Sequence, residues 1–469
     1  MRKINLNLVS WLACAALLLP LGQEAIAQDS ISMNDSIRAT IDTHRSLKSI
    51  QENREVLVHE LDRARRGYGP RVDVSGAIGI NRLSNSTTRL QGRDKAFYDS
   101  GRISAILTQP VWDGLATRSR IRATRATMNS MSHRVLDNAT TLALDAIIAH
   151  IDVLRSRQIY TLAQANVARH QEILAQARDR EFLGQDTIAD VMQAESRLAR
   201  ALSTLVENRT NLLAAEETYF RLTQTRPSPN LMTVPMPTDM YLDTADIMTD
   251  VLKHNPKLNA YMEDVNASKN DAQLSRSAYH PVINLEAGPS YSVRDTGYTG
   301  NLGEKNWTYS FDVMATLRWN IFNSGADQAA EKAAAARVRQ ARQYMYSAVD
   351  DFALEVEKTW NDYIAAQEQH SHYLNAVTFN TATRDAYQEQ FIMGSRSLLD
   401  VLDTESELFN SASQVATTQS NILIGAYRLI AITGTLLRKV GVEEPTLFDT
   451  PAPPPDKHPW EDKLPWERY

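Results

Sequence analysis

The sequence predicts an α+β membrane protein made of two tandem repeats, each joining a pair of long strands to much longer helices. Three observations predict it. The chain repeats its motifs at an offset of about 210 residues: Leu107-Thr108-Gln109-Pro110-Val111-Trp112-Asp113-Gly114 is answered by Leu317-Arg318-Trp319-Asn320-Ile321-Phe322-Asn323-Ser324-Gly325. Its strand-like segments alternate apolar and polar residues over lengths that suit a barrel wall in lipid. Residues 115–182 and 326–391 contain neither proline nor glycine.

Residues 1–27 read as a secretory signal peptide. Arg2 and Lys3 form its positive end, Trp11 to Leu21 its apolar run, and Ala25-Ile26-Ala27 its cleavage site before Gln28. The only cysteine, Cys14, lies in that run, with too short an apolar stretch ahead of it for lipidation. The mature chain therefore lacks a thiol, which excludes disulfides and a cysteine nucleophile. A formal charge of −6 and 43% hydrophobic residues exclude disorder and give no sign of a nucleic-acid partner.

The first repeat is expected over 28–224: a helix near 31–66, a strand pair near 71–109, a long helix, a tip turn near Gly184 and a return helix. Residues 225–244 form a Pro-rich linker opened by Thr225-Arg226-Pro227-Ser228-Pro229. The second repeat, 245–442, has a helix to about 277, a strand pair near 281–319, a long helix, a tip turn near Gly394 and a return helix ending near Leu437. A Pro/Trp-rich tail, 443–469, repeats Lys457-His458-Pro459-Trp460-Glu461 as Lys463-Leu464-Pro465-Trp466-Glu467. A disordered end, or docking to the tunnel's outer belt or to a partner, are its readings.

In the second strand pair, Trp307, Tyr309, Phe311, Val313, Ala315, Leu317 and Trp319 alternate with polar neighbours. Ile283, Leu285, Ala287, Tyr291 and Val293 repeat the pattern, and Val72, Val74, Ile78 and Ile80 carry it in copy one. Lipid outside and water inside account for such strands with aromatic ends. The most apolar helix, Ile422 to Leu437, is too short to span a membrane and contains Arg428. Four strands cannot close a barrel, and open edges in lipid leave unpaired backbone groups costing several kcal/mol each. The strands must be pooled between protomers, two giving eight and three giving twelve. Each long helix spans roughly 100 Å at 1.5 Å per residue. Its Ala-rich faces, Ala329 to Ala336 above all, suit close packing in a cylinder wet on both sides.

These motifs resemble the TolC-like outer-membrane factor family over the mature chain up to about Val442. Gly394-Ser395-Arg396-Ser397-Leu398-Leu399-Asp400-Val401-Leu402-Asp403 is the most specific of them. The resemblance implies a homotrimer with a 12-stranded β-barrel, four strands per protomer, continued by a long α-helical periplasmic barrel. It implies an outer-membrane channel working with a periplasmic adaptor and an inner-membrane ABC or proton-driven transporter. The segment Leu398 to Asn410 leans toward type I protein secretion rather than drug or solute efflux.

The duplication serves as an internal control for site residues. Thr187-x-x-Asp190 and Ser397-x-x-Asp400 read as helix caps after Gly turns. Asp403 corresponds to Gln193, and Arg396 to Asp186, so the copies differ in charge beside their turns. Asp400 and Asp403 share a helix face and suggest an acidic ring; a local pair with Asp400 is the simplest role for Arg396. The resemblance implies that Asp190, Phe391, Arg396, Asp400 and Asp403 surround a closed periplasmic aperture, with Arg396 bonding Asp190 of a neighbouring helix pair. Phe391 stands where the family usually has a tyrosine tied to that acid. Leu183, Gly184, Gln185, Gly394 and Ser395 are the expected adaptor-contact tips. No Gly-x-Ser-x-Gly, phosphate loop or paired-His zinc spacing occurs, so no enzyme, metal or cofactor is expected. A non-channel adhesin or scaffold would need neither the strand alternation nor the matched turns.

Overall fold

The computed structural model describes residues 30–82, 84, 86–90, 97–238, 240–294 and 306–445. The expected signal peptide and the doubled Pro-Trp-Glu of the tail lie outside them. In chain order the elements are α1 (Met33–Thr43), α2 (Arg45–Arg65), β1 (Arg71–Asn81), a short α3 (Ser86–Leu90), β2 (Tyr98–Trp112), α4 (Ala116–Phe182) and α5 (Ile188–Thr223). There follow α6 (Thr244–His254), α7 (Pro256–Arg276), β3 (Val282–Arg294), β4 (Asn306–Arg318), α8 (Ala326–Ile392), α9 (Leu398–Ile432) and α10 (Leu436–Lys439).

The two halves match almost residue for residue. Helices α1 and α6 have 11 residues, α2 and α7 have 21, and α4 and α8 have 67. The helices expected near 31–66 and 245–277 are each broken once, at His44 and Asn255. Both residues are extended, with φ −69°, ψ 123° and φ −63°, ψ 120°. Asn255 caps α7 by accepting from the Leu258 N–H at 3.0 Å, and Pro256 occupies the first helical position, where its missing N–H costs nothing. His44 closes α1 through its N–H to the Thr40 carbonyl at 2.9 Å.

The four strands form one antiparallel sheet in the order β1-β2-β3-β4, leaving β1 and β4 as open edges. The register carries one face across the sheet: Val74 opposes Ala105, Ile103 opposes Tyr291, and Tyr291 opposes Tyr309. Trp307, Tyr309, Phe311, Val313 and Leu317 on that face remain exposed, as do Val72, Val74, Ile78 and Ile80. The other face carries Ser75, Ser104, Ser290 and Ser310 in a single cross-strand row, bonded in pairs at 2.8 and 2.9 Å. An apolar face left open and a hydroxyl-lined face opposite it are the two sides of a wall between lipid and water. No helix among the described residues is long and apolar enough to cross a membrane.

The duplicated motifs at the ends of β2 and β4 are the strand-to-helix joints. Gly114 and Leu115 in one copy, and Ser324 and Gly325 in the other, take left-handed backbone in succession. At Gly114 any side chain would also strike His280, 2.6 Å away. Asp113 then accepts from the Thr117 N–H at 2.7 Å, satisfying a free donor of the first turn of α4.

Away from the sheet the helices lie side by side. α4 packs against α5 and α9, and α9 against α8, so α5 and α8 form the flanks at the end away from the sheet. Nearer the sheet the neighbours of α4 are α2 and α7. Between these levels lies a belt whose core joins Ile37, Leu47, Val135, Ile147, Ile430 and Leu436.

A buried polar chain fastens α1 to this belt. His150 Nε2 is 2.8 Å from the Met232 carbonyl, which can only accept, so this nitrogen carries the proton. His150 Nδ1 therefore accepts from the Ser36 hydroxyl at 3.0 Å, and Ser36 accepts from the Tyr219 hydroxyl at 2.8 Å. All three side chains are fully buried. Burial holds the His150 imidazole below its ordinary value, and does the same at His133 and His170.

The sign of the pH effect follows. Below pH 6.5 the unfolded chain takes up protons that these folded imidazoles refuse, so stability present above 6.5 is lost as pH falls. We expect the unfolding midpoint in detergent to drop between pH 7 and about 5.5. His150→Gln should lower the midpoint at pH 7 and make the drop shallower. Burial raises the carboxyls of Asp137, Asp145, Asp152, Glu263 and Asp271 above their ordinary values, which works in the opposite sense. The test is therefore the difference between variant and wild type: a drop as steep in His150→Gln as in wild type contradicts the assignment.

Candidate functional site: the paired helical tips

At the end away from the sheet each long helix turns back through the same device. Gly184 and Gly394 have φ of +70° and +75° with open space around them, so the backbone angle, not crowding, selects glycine. The Gln185 N–H reaches the Arg180 carbonyl and the Ser395 N–H the Gln390 carbonyl, both at 2.9 Å. These bonds satisfy the last carbonyls of α4 and α8. Leu183, Gly184, Gln185, Gly394 and Ser395 are all exposed. Beside them Phe182, Leu183, Ile392 and Met393 present apolar side chains 65–87% exposed, a surface that invites a partner.

The return helices begin with caps. Thr187 accepts from the Asp190 N–H at 3.3 Å and gives its own N–H and hydroxyl to the Asp190 carboxylate at 3.0 and 2.6 Å. The hydroxyl and backbone bonds from Thr187 hold the Asp190 carboxyl below the usual range. In the second tip Ser397 accepts from the Asp400 N–H at 3.3 Å and donates to its carboxylate at 2.9 Å. Arg396 Nε lies 3.5 Å from the same carboxylate, within ion-pair distance but unaligned for a hydrogen bond. Its guanidinium rests 3.8 Å from the centre of the Tyr387 ring.

Three arginines of the first hairpin reach across to the second, and sequence reasoning found none of them. Arg180 binds Asp186 through two nitrogens at 2.9 and 3.2 Å, donates to the Phe391 carbonyl at 3.2 Å, and sits 4.6 Å over the Phe391 ring. Arg169 pairs with the buried Glu405 at 2.9 Å and also donates to Gln388. Arg197 pairs with Asp403 at 2.6 Å. Asp403 thus has a cation beside it within its own chain, where the sequence reading gave it only the like charge of Asp400. Phe391 is 2% exposed and packs with Ile173, Leu174, Val191, Leu398 and Leu402 between the hairpins. It lacks the tyrosine's hydroxyl, and its ring serves instead as an apolar wedge under Arg180.

No group of three or more His, Cys, Asp or Glu side chains among the described residues could hold a metal ion. The arrangement is mechanical: two hairpins, capped and crosslinked, at the far end of a helical wall whose other end is a membrane sheet. That combination defines an outer-membrane channel with a helical tunnel in the periplasm.

The sequence profile of the family described as outer membrane efflux protein matches residues 37–223 and again 247–435. The chain belongs to that family. It is 24% identical over 375 residues to the outer membrane efflux protein BepC of Brucella suis, covering 80% of this chain and 78% of that one. It is also 24% identical to the proteases secretion protein PrtF of Dickeya chrysanthemi, covering 79% of each. Among solved structures, the Campylobacter jejuni CmeC outer membrane channel superposes with a TM-score of 0.72 at 14% identity, over 92% of this chain and 94% of that one. The protein is an outer-membrane channel component of tripartite pumps or secretion systems.

Proposed function

We propose that the protein is the outer-membrane exit of a type I secretion system, passing a protein from an inner-membrane ABC transporter and its periplasmic adaptor to the cell exterior. The observation that carries this reading is the similarity to PrtF along nearly four fifths of both chains. A second reading, drug or solute efflux with a proton-driven pump, draws on the equally long match to BepC. Three chains assemble in either case. The open edges of β1 and β4 then pair between protomers into a 12-stranded barrel. Leu202, Val206 and Leu213 on one face of α5, and Leu354 and Phe379 on one face of α8, are exposed apolar flanks that a neighbouring copy would cover. In that assembly the spare donors of Arg396 face Asp190 of the adjacent chain and help close the aperture, Asp400 and Asp403 line the constriction, and the exposed tip residues meet the adaptor.

Deleting the gene tests the choice of cargo. Loss of one or a few secreted proteins from the culture medium, with unchanged susceptibility to hydrophobic drugs, is the expected result. An unchanged secretome with sharply raised drug susceptibility gives the role to efflux instead.

A further inference from the structure

The inner face of the sheet is charged in layers. Toward the helices, Arg71 and Asp73 pair with each other at 2.7 Å, and the acids Glu286 and Asp312 accept from Thr316 at 3.1 Å and Ser310 at 3.0 Å. Next outward comes the neutral row of Ser75, Ser104, Ser290 and Ser310. One row further out stand Ala77, Arg102, Ser292 and Thr308. Arg102 is the basic residue of that row, exposed in a shallow hollow shared with Asn81, Ser100, Ser292 and Thr308. Among the described residues no carboxylate lies within ion-pair distance of it. The nearest acidic row, that of Asp312, is four residues lower along the strands, roughly 14 Å at 3.4 Å per residue. That exceeds the screening length of about 8 Å at physiological salt, so the serine row keeps the Arg102 charge from being neutralised by those acids.

Resting on the trimeric reading of the barrel, we propose that Arg102 from three chains forms a cationic ring in the outer half of the lumen that binds multivalent oxyanions. Each guanidinium presents five N–H donors in a planar fork that fits phosphate or carboxylate oxygens, and the neighbouring hydroxyls supply further donors. Cargo leaving past the acidic aperture would meet a site of opposite sign just before the exit.

Sodium tripolyphosphate is the probe. Added at low salt to the barrel side of single wild-type channels in planar bilayers, it should block at a concentration about tenfold lower than from the helical side, and raising the salt to about 1 M should abolish the difference. Arg102→Gln should weaken barrel-side block about tenfold at unchanged open conductance, Arg102→Lys should keep most of it, and Asp312→Asn should leave it equal or stronger. Equal block in Arg102→Gln and wild type overturns the ring, as does an equal loss in Asp312→Asn. Should the variants fail to assemble, symmetric or salt-independent block of the wild type overturns it alone. Native mass of the same sample separates the two failures: a conducting trimer without sided block removes only the ring, and any other copy number removes the trimeric reading beneath it.

Discussion

Channels carrying Arg180→Ser should conduct more current in planar bilayers than wild type, and the purified protein should unfold at a lower temperature. One guanidinium closes the first tip through Asp186 and holds the end of α8 through the Phe391 carbonyl and ring. Charge-assisted hydrogen bonds contribute about 1.5–3 kcal/mol, and a cation over an aromatic ring about 0.5–2 kcal/mol. The Arg180 and Asp186 side chains are 19% and 14% exposed, so solvent screens the pair only in part. A loss of about 2–4 kcal/mol per protomer is expected, and each 1.4 kcal/mol shifts an open–closed equilibrium about tenfold. Arg180→Lys keeps the charge without the fork and should fall between. Wild-type conductance in Arg180→Ser would mean the hairpins are held together elsewhere.

Glu405→Ala should destabilise the tip far more than the same change at its counterpart in the first repeat, Glu195. The Glu405 side chain is 6% exposed and pairs with Arg169, itself 25% exposed, across the two hairpins. Removing one member of a buried pair costs about 3–5 kcal/mol, and the contacts Arg169 retains with Glu172 and Gln388 bring the expected loss to about 2–3 kcal/mol. Glu195 pairs with Arg178 on the surface, where both are exposed, so Glu195→Ala should cost about 0–1 kcal/mol. Amide exchange at the ends of α8 and α9 should accelerate in Glu405→Ala alone. Equal acceleration in both variants would make the interhairpin pair an ordinary surface contact.

The fold class was legible because its signals are local and doubled. Uninterrupted stretches announce α4 and α8, alternation announces the strands, and Gly184 and Gly394 punctuate the same sentence twice. The break at Asn255 was legible in principle, since Asn before Pro is a helix start, but the continuous pattern around it concealed the joint. His44 carries no such mark; only its geometry matches Asn255. At the tips, residues 183–185 and 394–396 could be picked out from turn chemistry. Arg169, Arg180 and Arg197 could not, because their partners lie about 206 to 236 residues away and depend on how one hairpin rotates against another. Helical periodicity gives a face, not its neighbour. The same limit hid Tyr387, whose ring supports Arg396 one turn before the expected Phe391.

The matched breaks at His44 and Asn255 bear on the stiffness of the tunnel. Where the shorter helices are interrupted, α4 runs unbroken through the belt core from Val135 to Ile151, and α8 from Ala348 to Tyr363. Each joint lies beside an unbroken helix, α1 and α2 against α4 and α6 and α7 against α8, so no transverse plane cuts every helix at once. Each continuous helix acts as a splint across its neighbour's joint, and Asn255 is pinned to the end of α9 through the Ile432 carbonyl at 2.8 Å. A tube built this way can flex its free ends while its waist resists buckling, so forces applied at the tips reach the membrane sheet through two rigid struts per chain.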